Sequence, residues 1–134
     1  AAFVAAAPEY STRLTATGPL AHSALAAHVA ACDLLVQPYP DGVSSRRSTA
    51  MAALRLGVPL VTTTGRLTEP AWQISNAVRL SPLGDCRRLA SEVEYLLGHP
   101  RERLQMVEAG RELYERTFDL RHTVAGLRSV PECH

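Results

Sequence analysis

The stretch Cys32-Asp33-Leu34-Leu35-Val36-Gln37-Pro38-Tyr39-Pro40-Asp41-Gly42-Val43-Ser44-Ser45-Arg46-Arg47-Ser48-Thr49-Ala50-Met51-Ala52-Ala53-Leu54-Arg55-Leu56-Gly57-Val58-Pro59-Leu60-Val61-Thr62-Thr63 decides how this chain folds. Leu34 to Gln37 is a short apolar run that stops at Pro38. A proline and glycine loop follows, and the pattern then predicts a helix from about Ser45 to Leu56. Gly57 and Pro59 are the usual punctuation at a helix C-terminus. Leu60 to Thr63 is a second apolar run. Strand, helix and strand in this order make a parallel βαβ unit.

The same alternation extends outward. Upstream, Arg13 to Thr17 reads as a strand ended by Gly18-Pro19, followed by a helix from Ala21 to Ala31 with Leu25 and Val29 at i,i+4 spacing. Downstream come the loop Thr64 to Pro70, a short helix at Trp72 to Ser75 and a strand at Ala77 to Leu80. Asp85 is placed to cap a helix that runs to Leu97 and closes at Gly98. Pro100 suits the first position of a helix reaching about Phe118, and Leu120 to Leu127 is helical. Four strands with crossover helices give an α/β fold, a Rossmann-like open parallel sheet with flanking helices. Ligands of such sheets lie at the carboxyl ends of the strands. The loops after Thr17, Val36 and Thr63 share that rim.

The chain has 134 residues and 14.5 kDa, the size of one domain, taken as residues 1–134. Its composition is that of a globular chain, and a net charge of +1 argues against a nucleic-acid or membrane-surface binder. No apolar run reaches the ~20 residues of a membrane span. Ala1 to Ala7 is short, lacks a basic flank and does not read as a signal peptide. Cys32, Cys86 and Cys133 are odd in number and far apart. They make no disulfide framework and fit a reducing, cytoplasmic compartment, and Cys86 and Cys133 read as chemically inert. All 14 basic residues are arginine and Ile74 is the sole isoleucine, a bias expected of a GC-rich, bacterial genome.

Chemistry concentrates in the loop and helix start. Gly42 permits close backbone approach to a ligand. Ser44 and Ser45 are N-cap candidates. A helix N-terminus offers free N–H groups and a positive dipole end to an anion. Arg46 and Arg47 in the first turn work against that dipole, which an anionic ligand nearby would explain; the competing reading makes them solvated surface residues. Asp41 is either a ligand-facing carboxylate or half of an ordinary Asp-Gly turn. Tyr39 either stacks on a ligand or covers the loop, and Trp72 reads as packing. His22, His28 and Cys32 share the first helix without metal-site spacing, so no metal and no cofactor are expected.

The stretch resembles the donor-binding half of GT-B fold glycosyltransferases, in particular the retaining family 4 enzymes. Asp41-Gly42 is similar to their acidic-Gly pair, Ala50-Met51-Ala52-Ala53 to the start of their helix motif, and Gly57-Val58-Pro59-Leu60-Val61-Thr62 to its exit. Gly65 and Glu69 resemble the following Gly-Gly-x-x-Glu loop, with Arg66 in place of the second glycine. Thr17-Gly18 resembles an earlier turn, and Asp85 to Leu97 and Arg101 to Phe118 the closing helices. The resemblance covers about Arg13 to Leu127. It implies transfer of a sugar from a UDP- or GDP-sugar with retained configuration. Asp41 would meet the donor sugar as the catalytic-site carboxylate. Gly42, Val43, Ser44, Ser45 and Arg46 would face phosphate or sugar hydroxyls, and electrostatic stabilisation of the leaving diphosphate would be the main contribution.

Two departures qualify that expectation. The carboxylate that bonds the ribose hydroxyls falls at Thr49, whose neutral hydroxyl makes one bond where a carboxylate makes two. The family's upstream phosphate-holding segment and its N-terminal acceptor domain have no counterpart here. The expectation is the latter part of a donor domain, inactive alone, whose missing strands leave a sheet edge. That edge would pair with another copy, as a homodimer, or take up the Arg13 strand beside Leu34 to Gln37. The alternative is a degenerate Rossmann-like binding or interaction module without catalysis. A response-regulator-like domain fits less well, since no acidic cluster lies near the first strand.

Overall fold

The computed structural model describes residues 5–129. Cys133, the last residues, which the sequence led one to expect to fray, and the start of the Ala1 to Ala7 run lie outside them. Three strands, β1 (Leu35–Gln37), β2 (Leu60–Thr64) and β3 (Val78–Pro82), form one parallel sheet in the order β1-β2-β3. Register pairs Leu35 with Leu60 and Leu60 with Val78. A 3-10 turn at Pro8–Tyr10 and the helices α1 (His22–Ala30), α2 (Ser48–Leu56), α3 (Pro70–Ile74), α4 (Cys86–Leu97), α5 (Pro100–Leu113) and α6 (Leu120–Arg128) accompany them. A π-turn at Tyr114–Phe118 links the last two. The α/β class and the open parallel sheet flanked by helices are as expected.

Adjacent residues of a strand face opposite sides of the sheet, and the core divides accordingly. Leu60, Val78, Ala50, Ala53, Leu54, Trp72 and Leu113 pack on one side with Tyr39 and Val43, while Val61, Leu96 and Met106 pack on the other. The crossover helix α2 ends as its sequence dictates. Gly57 adopts the left-handed conformation, φ 74°, and its amide bonds to the Ala53 carbonyl. Asp85 caps α4 by accepting from the Arg88 amide at 2.9 Å, and Pro100 opens α5.

Two expectations are corrected. Arg13 to Thr17 is not a strand: every residue from 11 to 19 is exposed and none joins the sheet. A β-prone run needs a neighbour with free backbone groups and an apolar face to cover, and α1, with no buried residue, supplies no such face. The sheet therefore has three strands, and the run has not moved beside Leu34 to Gln37. Secondly, α2 begins at Ser48, not Ser45, and neither Ser44 nor Ser45 caps it. Arg47 holds the cap position, without a side-chain hydrogen bond. The reason lies in Ser45, whose amide and hydroxyl are already bonded to Glu69.

Candidate functional site

The carboxyl ends of β1 and β2 are tied by two threonine hydroxyls, of which Thr62 Oγ1 donates to the Gln37 carbonyl at 2.6 Å. Thr63 Oγ1 accepts from the Tyr39 amide at 2.8 Å and donates to the Tyr39 carbonyl at 2.7 Å. This fixes where the Pro38 to Asp41 loop leaves the sheet. Gly42 then passes Gly65 so closely that a Cβ on it would lie 2.7 Å from Gly65 Cα, and its φ is +85°. Glycine at position 42 serves this loop-on-loop contact. The Leu67 amide bonds to the Asp41 carbonyl at 3.0 Å, and the Val43 amide to the Thr63 carbonyl at 2.8 Å.

Asp41 is thereby presented on the rim. Its Oδ1 accepts from Arg66 Nε at 2.9 Å, and its Oδ2 lies 4.0 Å from the Arg47 guanidinium. Arg47 also sits over the Tyr39 ring, 4.8 Å from its centroid. Such half-exposed pairs contribute little stability; they orient the carboxylate. Arg46 is exposed and lines a groove with Ser45, Ser48, Thr117 and Phe118.

Beside Asp41 lies the start of α2, whose first amides take no side-chain cap. Two buried hydroxyls there lack partners, Ser44 Oγ and Tyr39 Oη. Burial raises the Tyr39 phenol above its ordinary value, against the pull of Thr49, the Arg47 charge and the Ala50 amide. Thr49 and Ala50 approach that hydroxyl, but neither meets it in hydrogen-bonding geometry. Unmet buried polar groups are uncommon in folded chains and mark places where a ligand or water can bond.

Of the residues named from sequence, Asp41, Ser44, Arg46 and Thr49 cluster around this turn. The backbone of Gly42, Val43 and Ser45 is differently occupied, for their amides bond to Tyr39, Thr63 and Glu69 within the chain. The amides left to an anion are those one turn later, at Ser48 to Ala50. Sequence reading tied Glu69 to a loop pattern and gave it no contact. It proves to be a hub, accepting from Ser45 and from the Trp72 indole N–H at 2.9 Å. The spacing Gly65 to Glu69 was the only signal for it. Among the described residues no group of three or more His, Cys, Asp or Glu could hold a metal ion, and no helix is long and apolar enough to cross a membrane.

Comparison of the chain with protein-family models, with curated proteins and with solved structures finds no match.

Proposed function

We propose that the chain is the donor-binding portion of a GT-B type, retaining glycosyltransferase of the bacterial cytoplasm, which moves a sugar from a UDP- or GDP-sugar to an acceptor held by a further domain. One observation carries this reading. A carboxylate (Asp41) and an uncapped helix N-terminus (α2) stand together on the carboxyl rim of a parallel sheet, with the unmet hydroxyls of Ser44 and Tyr39 beside them. The amides of Ser48 to Ala50 suit a diphosphate, whose charge the helix dipole and Arg46 favour. Asp41, held between two guanidinium groups, suits sugar hydroxyls. Thr49 offers one neutral hydrogen bond to a ribose. The chain's chemical part is electrostatic, holding the leaving diphosphate while its glycosidic bond breaks.

Calorimetric titration tests this. A UDP- or GDP-sugar should bind, and Asp41→Asn should weaken the nucleotide-sugar several-fold while leaving the bare nucleoside diphosphate unchanged. Equal loss of both, or no binding by the wild-type chain, contradicts the reading. The occupied amides of Gly42, Val43 and Ser45 favour a second reading, an interaction module of the same fold without catalysis.

A further inference from the structure

On the other side of the Tyr39-Pro40 loop a cleft of about 310 Å³ opens along the carboxyl ends of all three strands. Pro38 and Pro40 line it from the end of β1, Thr63 from β2, and Pro82, Leu83 and Leu89 from β3 and α4. The prolines make the lining stiff, so the space is formed before anything enters it. Few polar groups face it, and the nearest are largely engaged within the chain. Thr63 Oγ1 is shared with the Tyr39 backbone, Asp85 Oδ1 is taken by the Arg88 amide, and the Asp85 carbonyl accepts from Ser81 Oγ at 3.1 Å. The α4 N-terminus thus carries its own anion, Asp85, and offers little to an anionic ligand. What remains is apolar surface.

We propose that this cleft is a second binding site, for a neutral apolar group of ring size. A cavity of about 150 Å³ suffices for one benzene ring, so this one has room for two fused rings. An apolar lining leaves the hydroxyls of a sugar without partners, and the Asp85 carboxylate at the rim repels a phosphate, so neither suits the space. The cleft shares Tyr39 and Pro40 with the loop that presents Asp41, but Asp41 itself is not part of the lining. It needs no nucleotide at the α2 terminus to form.

Cys86 lies on the lining and its thiol is exposed, whereas the exposed thiol of Cys32 lies outside it. Alkylation by iodoacetamide, followed at each cysteine by mass spectrometry, therefore reports occupancy with an internal control. 2-Naphthol should slow alkylation of Cys86 about threefold at about twice its Kd, and leave Cys32 unchanged. 2-Naphthoate at equal concentration should protect far less. Leu83→Arg, at a residue already 55% exposed, should abolish protection without burdening the core. Unchanged Cys86 rates with 2-naphthol overturn the proposal. So do equal slowing at Cys32, equal protection by naphthoate, or protection that survives in Leu83→Arg.

Discussion

The carboxylate of Glu69 accepts a hydrogen bond from the Ser45 hydroxyl at 2.6 Å. That bond joins the loop leaving β2 to the loop entering α2. The same carboxylate accepts from the Ser45 amide and from Trp72, whose ring stacks on Phe118 with centroids 5.1 Å apart. One acidic side chain thus connects the rim of the sheet, the start of α2 and the π-turn near the chain's end.

Glu69 should make stability depend on pH. Burial disfavours its charge, but the Ser45 hydroxyl and amide, its own amide and the Trp72 indole together hold its carboxyl below the ordinary value of 4.5. A carboxylate with a lowered folded pKa stabilises the fold above its unfolded pKa, and that contribution is lost as pH falls through the folded value. Glu69→Gln should cost about 1 kcal/mol near neutral pH, the scale of one hydrogen bond to a charged group at a half-exposed site. Thermal melts by circular dichroism should show the gap closing below about pH 4. A gap that persists unchanged at lower pH contradicts this role.

Gly42→Ala should be severe. The new Cβ would meet the Gly65 backbone and the Thr68 hydroxyl, in a left-handed conformation as well. Strain and overpacking together should cost about 3 kcal/mol. Urea denaturation measures it; a loss under about 1 kcal/mol would mean that the two loops move apart easily.

Much of this was legible in the sequence, for identifiable reasons. Gly57, Pro59 and Pro100 restrict the backbone wherever they stand, and the helix ends that adjoin them, the close of α2 and the start of α5, fall at the expected places. Asp85 caps α4 because its cap needs only the amide of Arg88, three residues on. Arg13 to Thr17 misled because strand propensity is realised only against a partner, and a partner is a property of the whole sheet. Ser45 misled for a similar reason: a serine before a helix caps it unless something distant claims the hydroxyl, and Glu69 is 24 residues away. At the site, sequence reading named Asp41 and Thr49. It did not foresee that the Gly42, Val43 and Ser45 amides are used internally, since local pattern carries no record of such long-range bonds.

The open edge of β1 should drive association. Leu35 donates its amide to Pro59 across the β2 side, so the backbone groups of Val36 face the edge that no strand among the described residues covers, and Val36 is 42% exposed. Light scattering should give a mass above the 14.5 kDa monomer as concentration rises. Val36→Lys should shift the chain toward the monomer. A wild-type chain that stays monomeric at all concentrations contradicts the expectation.

Thr49→Glu should strengthen binding of UDP or GDP by about 1 kcal/mol, the gain of a charge-assisted hydrogen bond over a neutral one. The position lies in the first turn of α2, where a carboxylate also suits the helix dipole. Calorimetry that shows no change or a loss favours the non-catalytic module.

The most direct measurement is an amide-resonance titration of the chain with UDP. A donor site at the α2 terminus predicts shifts concentrated at Ser48, Thr49 and Ala50, accompanied by Arg46, with little change at Gly42 and Val43, whose amides are bonded within the chain. Shifts absent from Ser48 to Ala50, or confined to another part of the surface, would contradict it.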